Sequence, residues 1–255
     1  MTGNAGDVRS SVVELRQYTL HPGQTDTLIE LFDREFLESQ EACGMSVIGQ
    51  FRDLDRRDRF VWLRGFEDMQ SRAEALGAFY GGPAWAAHRD SANATMIDFD
   101  DVLLLKPTRA GAGFRLRVGD RPPQGAAERA GGMIAATIVP LAAGAAADFA
   151  ELFETRLRPA MAEAGADVLA SFVTDNSPNS YPRLPLRADA TVAVWFTAHA
   201  DEAAHRDHQS RLGDLASWRE GEAAAARLMA GDRHTLRLQP TRRSLLRAAG
   251  ATSRR

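Results

Sequence analysis

The segment VVELRQYTLHPG, residues 12–23, returns 121 residues later in the chain as MIAATIVPLAAG, residues 133–144. The offset of 121 holds from residue 12 to residue 51, and an offset of 133 holds from residue 60 to residue 107. Self-similarity at a fixed spacing is the sequence signature of a repeated structural unit. The chain therefore carries one unit twice, and a single insertion of 12 residues lengthens the second copy.

The duplication divides the 255 residues into two units of ordinary domain size. We predict a flexible N-terminus (1–11), a first domain (12–108), a linker (109–132), a second domain (133–241) and a basic C-terminal tail (242–255). The insertion lies between residues 175 and 189, where a polar, proline-rich stretch predicts a hairpin extension. The arginine-rich tail is expected to be solvated.

Composition indicates an ordinary globular protein. The hydrophobic content is 44% and the net charge is −3, so bulk electrostatics gives no reason to expect nucleic-acid binding. No stretch approaches the roughly 20 apolar residues of a membrane span. Cys43 is the single cysteine, which excludes an internal disulfide and is typical of a reducing compartment. We therefore predict a cytoplasmic protein.

Hydrophobic spacing in the first copy alternates between strand and helix periods. The predicted elements are a strand at 12–20, a helix at 24–43, strands at 45–51 and 59–66, helices at 68–79 and 83–95, and a strand at 101–105. In the second copy, Pro159 lies within the counterpart of the long first helix and is expected to bend it. This order is typical of a ferredoxin-like unit, an antiparallel four-stranded sheet with helices on one face. The uncovered face needs a partner, and the second copy supplies one. We therefore predict an α+β protein with two tandem ferredoxin-like domains that pack sheet to sheet.

The opening strand carries a known family pattern. The run from Glu14 to Gly23, followed by the aromatic strand Val61–Phe66 and by Pro83-Ala84-Trp85, resembles the NIPSNAP family. This resemblance implies the dimeric α/β barrel group of ferredoxin-like folds. NIPSNAP members share no established reaction, whereas the wider barrel group includes cofactor-independent monooxygenases, isomerases and haem-binding enzymes. The resemblance thus implies a fold and a binding or metabolite-related role.

Polar and aromatic side chains alternate with apolar ones along two strands. Glu14, Arg16 and Tyr18 share one face of the first strand, and Trp62 and Arg64 lie on the same side of the third. We expect this face to lie between the two sheets, where arginine pairs with carboxylate and aromatic rings line a cavity. The opposite face, with Val13, Leu15, Val61 and Leu63, is expected to lie under the helices. A structural ion-pair network and a ligand pocket are both consistent with the pattern.

The second copy lacks most of these polar groups. Alanine, threonine and valine replace Glu14, Arg16 and Tyr18, and threonine replaces Arg64. Any site should therefore be asymmetric and lie in the first copy. Trp85 adds a further ligand-binding candidate, and His88, which has no histidine counterpart, is the candidate acid/base group.

Three histidines crowd the second copy at His199, His205 and His208. His205 and His208 are three residues apart on a predicted helix, so they share a face that could hold a metal. Their spacing matches no standard zinc signature. We therefore predict no metal and interpret this face as solvated.

The leading functional hypothesis is a module that binds a small apolar metabolite or a protein, without a cofactor, and that can form homo-oligomers. The alternative is a cofactor-independent monooxygenase or isomerase acting on an apolar or aromatic metabolite in the inter-sheet cavity. In that enzyme Arg16 or Arg64 would hold an anionic oxygen, Tyr18 and Trp62 would pack the substrate, and His88 would move protons.

Overall fold

The computed structural model describes residues 10–127 and 132–248; the predicted N-terminus up to residue 9 and the end of the tail lie outside them. The first copy contains β1 (Val12–Leu20), α1 (Thr25–Leu31), a π-helical turn (Phe32–Phe36), α2 (Leu37–Ala42), β2 (Ser46–Asp53), β3 (Arg59–Phe66), α3 (Met69–Tyr80), α4 (Pro83–Asn93) and β4 (Met96–Pro107). A 3-10 turn (Val118–Asp120) follows. The second copy contains β5 (Met133–Pro140), α5 (Ala146–Leu152), a π-helical turn (Phe153–Leu157), α6 (Arg158–Glu163), β6 (Asp167–Thr174), β7 (Val192–His199), α7 (Glu202–Asp214), α8 (Ala216–Ala225) and β8 (His234–Pro240).

The predicted helices and strands are confirmed, with shifts at their ends. Asp68 caps α3 by accepting a hydrogen bond from the Ser71 backbone, as its position before the apolar run predicts. Gly44 follows the first helix with a φ of 92°, a left-handed conformation that glycine adopts without strain. Strand β4 begins at Met96, five residues earlier than predicted, because its polar first half still pairs with β1.

The fold is mixed α/β, and its eight strands close into one barrel in the order β1-β3-β2-β8-β5-β7-β6-β4. Each copy contributes four neighbouring strands, in the same internal order. The copies join edge to edge: β2 pairs with β8 at Phe51 and Pro240, and β4 pairs with β6 at Leu105 and Thr174. Closure of this kind leaves neither half of the barrel with an unpaired sheet edge at these junctions.

Apolar side chains from both copies fill the barrel interior. Val13, Leu15, Val61 and Leu63 point inward, and they meet residues of the second copy such as Phe196. The prediction that these four residues lie under the helices is therefore wrong. Strand alternation separates two faces but does not say which of them the helices cover. An enclosed interior has no water to solvate charge, so the apolar set occupies it.

The helices form a layer outside the barrel. Each copy has one long helix that is interrupted by a π-helical turn, at Phe32–Phe36 and at Phe153–Leu157. Pro159 was expected to bend the second of these helices, but the turn precedes it, and Glu38 stands at its position in the first copy. The turn is therefore a property of the shared scaffold. Among the described residues, no helix is long and apolar enough to cross a membrane.

Linker and tail residues pack onto the barrel core. Phe114 of the linker joins the interior cluster, and so do Leu245 and Leu246 of the tail. The backbone N–H of Leu246 donates to the Ile48 carbonyl at 2.8 Å, which ties the tail to β2. The expectation of a solvated tail is thus wrong for residues 242–248, because two leucines outweigh the arginines around them.

Candidate functional site

A carboxylate with three arginines lies between the sheet of the first copy and its helices. The Glu14 Oε2 atom accepts from Arg16 Nη1 at 2.6 Å and from Arg64 Nε at 2.8 Å, and its Oε1 atom accepts from Arg72 Nε at 2.7 Å. All four residues are fully buried. We call this group the three-arginine cluster.

Strand pairing and helix packing bring the cluster together. Glu14 lies directly opposite Arg64 in the β1–β3 pair, and Arg16 lies opposite Trp62, so their side chains are neighbours on one face. Arg72 reaches them from α3. The candidates were expected between the two sheets, and that placement is wrong. They belong to the layer between the sheet and the helices, together with Phe32 and other helical residues.

The cluster carries an excess of positive charge. Three guanidiniums share one carboxylate, which leaves two positive charges without a counterion in the group. Burial by itself raises the pKa of Glu14, but Arg64, Arg16 and Arg72 outweigh it and hold the pKa well below its usual range. Burial lowers the pKa of Arg72 despite its contact with Glu14. The Nη2 atoms of Arg64 and Arg72 have no hydrogen-bond partner among the described residues.

Aromatic rings surround the guanidiniums. The Tyr18 hydroxyl accepts from Arg16 Nε at 2.8 Å, and burial, the largest influence, raises the pKa of Tyr18. The Trp62 ring lies 5.5 Å from the Arg16 guanidinium carbon and 5.1 Å from that of Arg64, within the range of cation–π attraction. The Trp62 indole N–H is buried and has no partner in the described parts of the chain. The layer thus combines cations with apolar faces and an unused donor.

The insertion of the second copy closes the cluster from outside. Arg72 Nη1 donates to Asn179 Oδ1 at 3.0 Å and to Ser180 Oγ at 3.1 Å. The Tyr181 ring stacks on Tyr80, with centroids 6.1 Å apart. The sequence predicted the insertion but not its destination. Arg72 was also missed; the available signal was a charged residue on the otherwise apolar face of α3.

Trp85 and His88 lie further out on α4. The Trp85 ring packs 4.9 Å from Tyr80, at the outer edge of the aromatic group. His88 is 31% exposed, and its Nε2 atom lies 3.2 Å from Glu35 Oε2. Its contacts with Glu35 and with the Phe36 ring place His88 on the helical surface. Trp85 therefore lies among the aromatic rings near the three-arginine cluster, whereas His88 lies apart from them.

The second copy holds histidines where the first holds the cluster. His205 occupies the position of Arg72, and Thr197, at the position of Arg64, contacts His199 Nε2 at 2.9 Å. His199, His205 and His208 are all buried, so their interpretation as a solvated face is wrong. Burial, followed by the neighbouring histidines, lowers the pKa of His199 to about 4. No group of three or more potential ligands in residues 10–127 and 132–248 could hold a metal ion.

His199→Phe introduces the residue at the equivalent position of the first copy. This variant is expected to lose less stability than the wild type when the pH is lowered. The folded-state pKa of His199 lies below the ordinary value of 6.5. The contribution of neutral His199 to the free energy of unfolding is therefore complete above pH 6.5. The free energy of unfolding falls by about 2–3 kcal/mol as the pH drops toward 4 and the unfolded chain gains its proton first. Urea denaturation of both proteins at pH 4.5 and 7.5 measures this. An acid slope that is the same in both would contradict it.

Comparisons with known proteins agree with this architecture. The NIPSNAP family model matches residues 13–110. A candidate monooxygenase from Lactobacillus acidophilus is similar in fold, with 12% identity, coverage of 94% of this chain and 100% of that one, and a TM-score of 0.56. An anthrone oxidase-like protein has 13% identity, coverage of 94% and 97%, and a TM-score of 0.53.

A NIPSNAP-like domain protein from Burkholderia xenovorans has 24% identity over 42% of this chain and 91% of its own, with a TM-score of 0.38. No curated protein matches the sequence. The NIPSNAP family model thus matches the first copy of the repeat, residues 13–110.

Proposed function

We propose that the three-arginine cluster binds a small molecule through an anionic group, a carboxylate or another oxyanion. The observation that carries this proposal is the excess of two buried positive charges, together with the unpartnered Nη2 atoms of Arg64 and Arg72. Buried charge is costly unless it is paired, and a bidentate oxyanion matches the planar face of a guanidinium. An anionic ligand supplies the missing counterion.

The body of the ligand is proposed to be apolar and to pack against the rings beside the cluster. The rings of Tyr18, Trp62 and Tyr80 surround the Arg16 and Arg64 guanidiniums, and the Trp62 N–H offers one directed hydrogen bond. Because the second copy has Ala135 and Thr197 in place of Glu14 and Arg64, a single site per chain is proposed. An aromatic carboxylate is the simplest molecule that satisfies both features.

The proposal includes the predicted division of the chain into two tandem ferredoxin-like domains, residues 12–108 and residues 133–241. The two offsets of the duplication and the matching strand order in each half of the barrel support it. In this arrangement the first domain holds the ligand, and the insertion of the second domain covers it through Asn179 and Tyr181. Tandem duplication thereby allows one copy to bind and the other to close the site.

Replacing Arg72 by Met tests the proposal. Native mass spectrometry of the purified protein is expected to show a bound anion, and benzoate is expected to raise the melting temperature of the wild type. Losing one charged hydrogen bond should weaken benzoate binding about 10- to 100-fold. The fold should persist, because Glu14 keeps Arg16 and Arg64.

An exposed arginine provides the control. Arg89→Met removes the same charge from the surface of α4 and should leave benzoate binding unchanged. Equal binding by the wild type and the Arg72→Met variant would refute the proposal. So would a wild type that carries no anion and is not stabilised by benzoate.

A second candidate function is oxidation or isomerisation of an apolar or aromatic metabolite without a cofactor, at the same place. The rings around the guanidiniums favour it, since a substrate held there would have its oxygen beside Arg16 or Arg64. Tyr18 is better placed than His88 to exchange a proton, because its hydroxyl lies within the group. Oxygen uptake with a hydroxyaromatic compound, lost in Tyr18→Phe, would distinguish catalysis from binding.

A further inference from the structure

A second group of polar side chains occurs beside the long helix of each copy, and its side-chain hydrogen bonds differ between the two copies. One group joins Glu154 and Ser171 of the second copy to Thr108 and Arg109, which follow the last strand of the first copy. Glu154 Oε1 accepts from Ser171 Oγ at 2.8 Å and from Thr108 Oγ1 at 3.0 Å, while its Oε2 accepts from Arg109 Nε at 2.9 Å. Thr108 is held next to Ser171 by a backbone hydrogen bond of 3.0 Å. Every member of this group has a partner.

The first copy repeats the backbone of this group without its side-chain bonds. The offset of 121 places Asp33 and Gln50 where Glu154 and Ser171 stand. Extending the offset of 133 past residue 107 places Thr241 and Arg242 where Thr108 and Arg109 stand. The Thr241 N–H donates to the Gln50 carbonyl at 2.9 Å, as in the second copy. Asp33 is one methylene shorter than glutamate, and its Oδ2 atom lies 3.6 Å from Arg242 Nε, beyond hydrogen-bond distance.

Five polar side-chain atoms are left without partners among the described residues. They are both carboxylate oxygens of Asp33, both amide heavy atoms of Gln50 and the hydroxyl of Thr241. All three residues are at least nine-tenths buried. Buried polar atoms are nearly always hydrogen-bonded in native proteins, and the counterparts of these three residues bond to one another, so the five atoms indicate a missing partner.

Space for a small partner adjoins Thr241 and Asp33, and Gln50 is tied to Thr241 by their backbone hydrogen bond. One cavity of about 190 Å³ is lined by Thr241 and Arg242, and a second of about 250 Å³ is lined by Asp33 and Arg242. Glu30 also lines both, so the two cavities are neighbours. A volume of this size suits a molecule of a few non-hydrogen atoms.

The charges and hydrogen-bonding atoms of the residues that line the two cavities indicate which kind of ligand fits. Among the charged residues of the walls, Asp26 is paired with Arg52, Arg34 with Glu35 and Arg243 with Glu38. Asp33 and Glu30 remain, with Arg242 as the nearby cation. Oxygen acceptors also predominate among the unpartnered atoms. Burial raises the pKa of Asp33 to about 6 even though Arg243, Arg242 and Arg121 oppose it, which is consistent with a carboxylate whose nearest guanidinium lies beyond hydrogen-bond distance.

We infer that the group formed by Asp33, Gln50 and Thr241 binds a small primary amine that also carries an oxygen acceptor. The ammonium donates to the Asp33 carboxylate, the Gln50 carbonyl oxygen and the Thr241 hydroxyl, which matches its three N–H donors. The Gln50 amide nitrogen then donates to the second group of the ligand. This site is separate from the three-arginine cluster and does not depend on it.

Ethanolamine is the probe, and ethylene glycol, in which a hydroxyl replaces the ammonium, is its matched control. Isothermal titration of the full-length protein should show saturable binding of ethanolamine and at least tenfold weaker binding of the glycol. Asp33→Asn should weaken ethanolamine binding at least tenfold, and Thr241→Val should weaken it by a smaller factor. Glu154→Gln, the same change in the second copy, should leave binding unaltered.

A swap between the copies distinguishes a ligand site from a defect of packing. The double substitution Asp33→Glu with Gln50→Ser installs the residues of the second copy, so the side chains should bond to one another as they do there. We expect this variant to keep or raise the melting temperature and to lose ethanolamine binding. Failure of the wild type to bind ethanolamine, or equal binding of the glycol, would overturn the inference and assign the atoms to water. Undiminished binding by the swapped variant would overturn it as well.

Discussion

Glu14→Gln is expected to lower the free energy of unfolding by about 3–5 kcal/mol, because removing one partner of a buried ion pair leaves uncompensated charge behind. The expected loss is large because one carboxylate forms ion pairs with Arg16, Arg64 and Arg72. Glutamine keeps the shape of the side chain and one acceptor, so the loss reports on charge and not on packing. Urea denaturation at pH 7 measures it.

The acid limb of the stability profile gives a second measurement of the same substitution. The folded-state pKa of Glu14 is depressed, so its contribution is complete above the ordinary value of 4.5 and is lost as the pH falls through the folded-state pKa. The variant should therefore show a shallower fall in stability below pH 4.5 than the wild type. Parallel profiles would contradict the assigned role of Glu14.

Glu35→Gln is the matched control for this substitution. Glu35 pairs with Arg34 and His88 at the helical surface, where water screens the charges. Water screens such a pair, so its loss should change the free energy of unfolding far less than the loss of Glu14. A loss equal to that of Glu14→Gln would show that burial is not the cause.

Leu246→Ala is expected to cost about 2–4 kcal/mol, the range for removing a leucine side chain from a packed core. Leu246 is 2% exposed and belongs to the interior cluster of the barrel, although it lies in an arginine-rich tail. Chemical denaturation measures the loss, provided that the slope of the free energy of unfolding against denaturant concentration is the same in both proteins. Leu116→Ala provides the comparison, because Leu116 packs against the same cluster while only partly buried and should cost less. A cost below about 0.5 kcal/mol for Leu246→Ala would mean that the tail does not seal the core.

Local patterns predicted most of the elements because the forces involved act over a few residues. The alternation from Val12 to Leu20 requires only a strand period, and Asp68 requires only the backbone of the helix that it caps. The asymmetry of the copies was also readable, since Glu14, Arg16 and Arg64 have no charged counterparts in the second copy. These features remain the basis of the candidate site.

The side of the sheet on which the site lies could not be predicted in the same way. Alternation places Glu14 and Leu15 on opposite faces but gives neither face a direction. The pairing of β2 with β8 and of β4 with β6 decides it, because closure makes one face an interior without water. The charged side chains therefore lie in the layer between the sheet and the helices.

Residue spacing and comparison of the copies were enough to predict the duplicated unit, its order of strands and helices, and the loss of polar groups from the second copy. The members of the site that come from distant segments became known from the three-dimensional fold. Arg72 joins from α3, and Asn179 joins from the insertion of the other copy. The same holds for Leu246 in the barrel core. Such contacts depend on where the closed barrel brings separate parts of the chain together, and no local pattern records that.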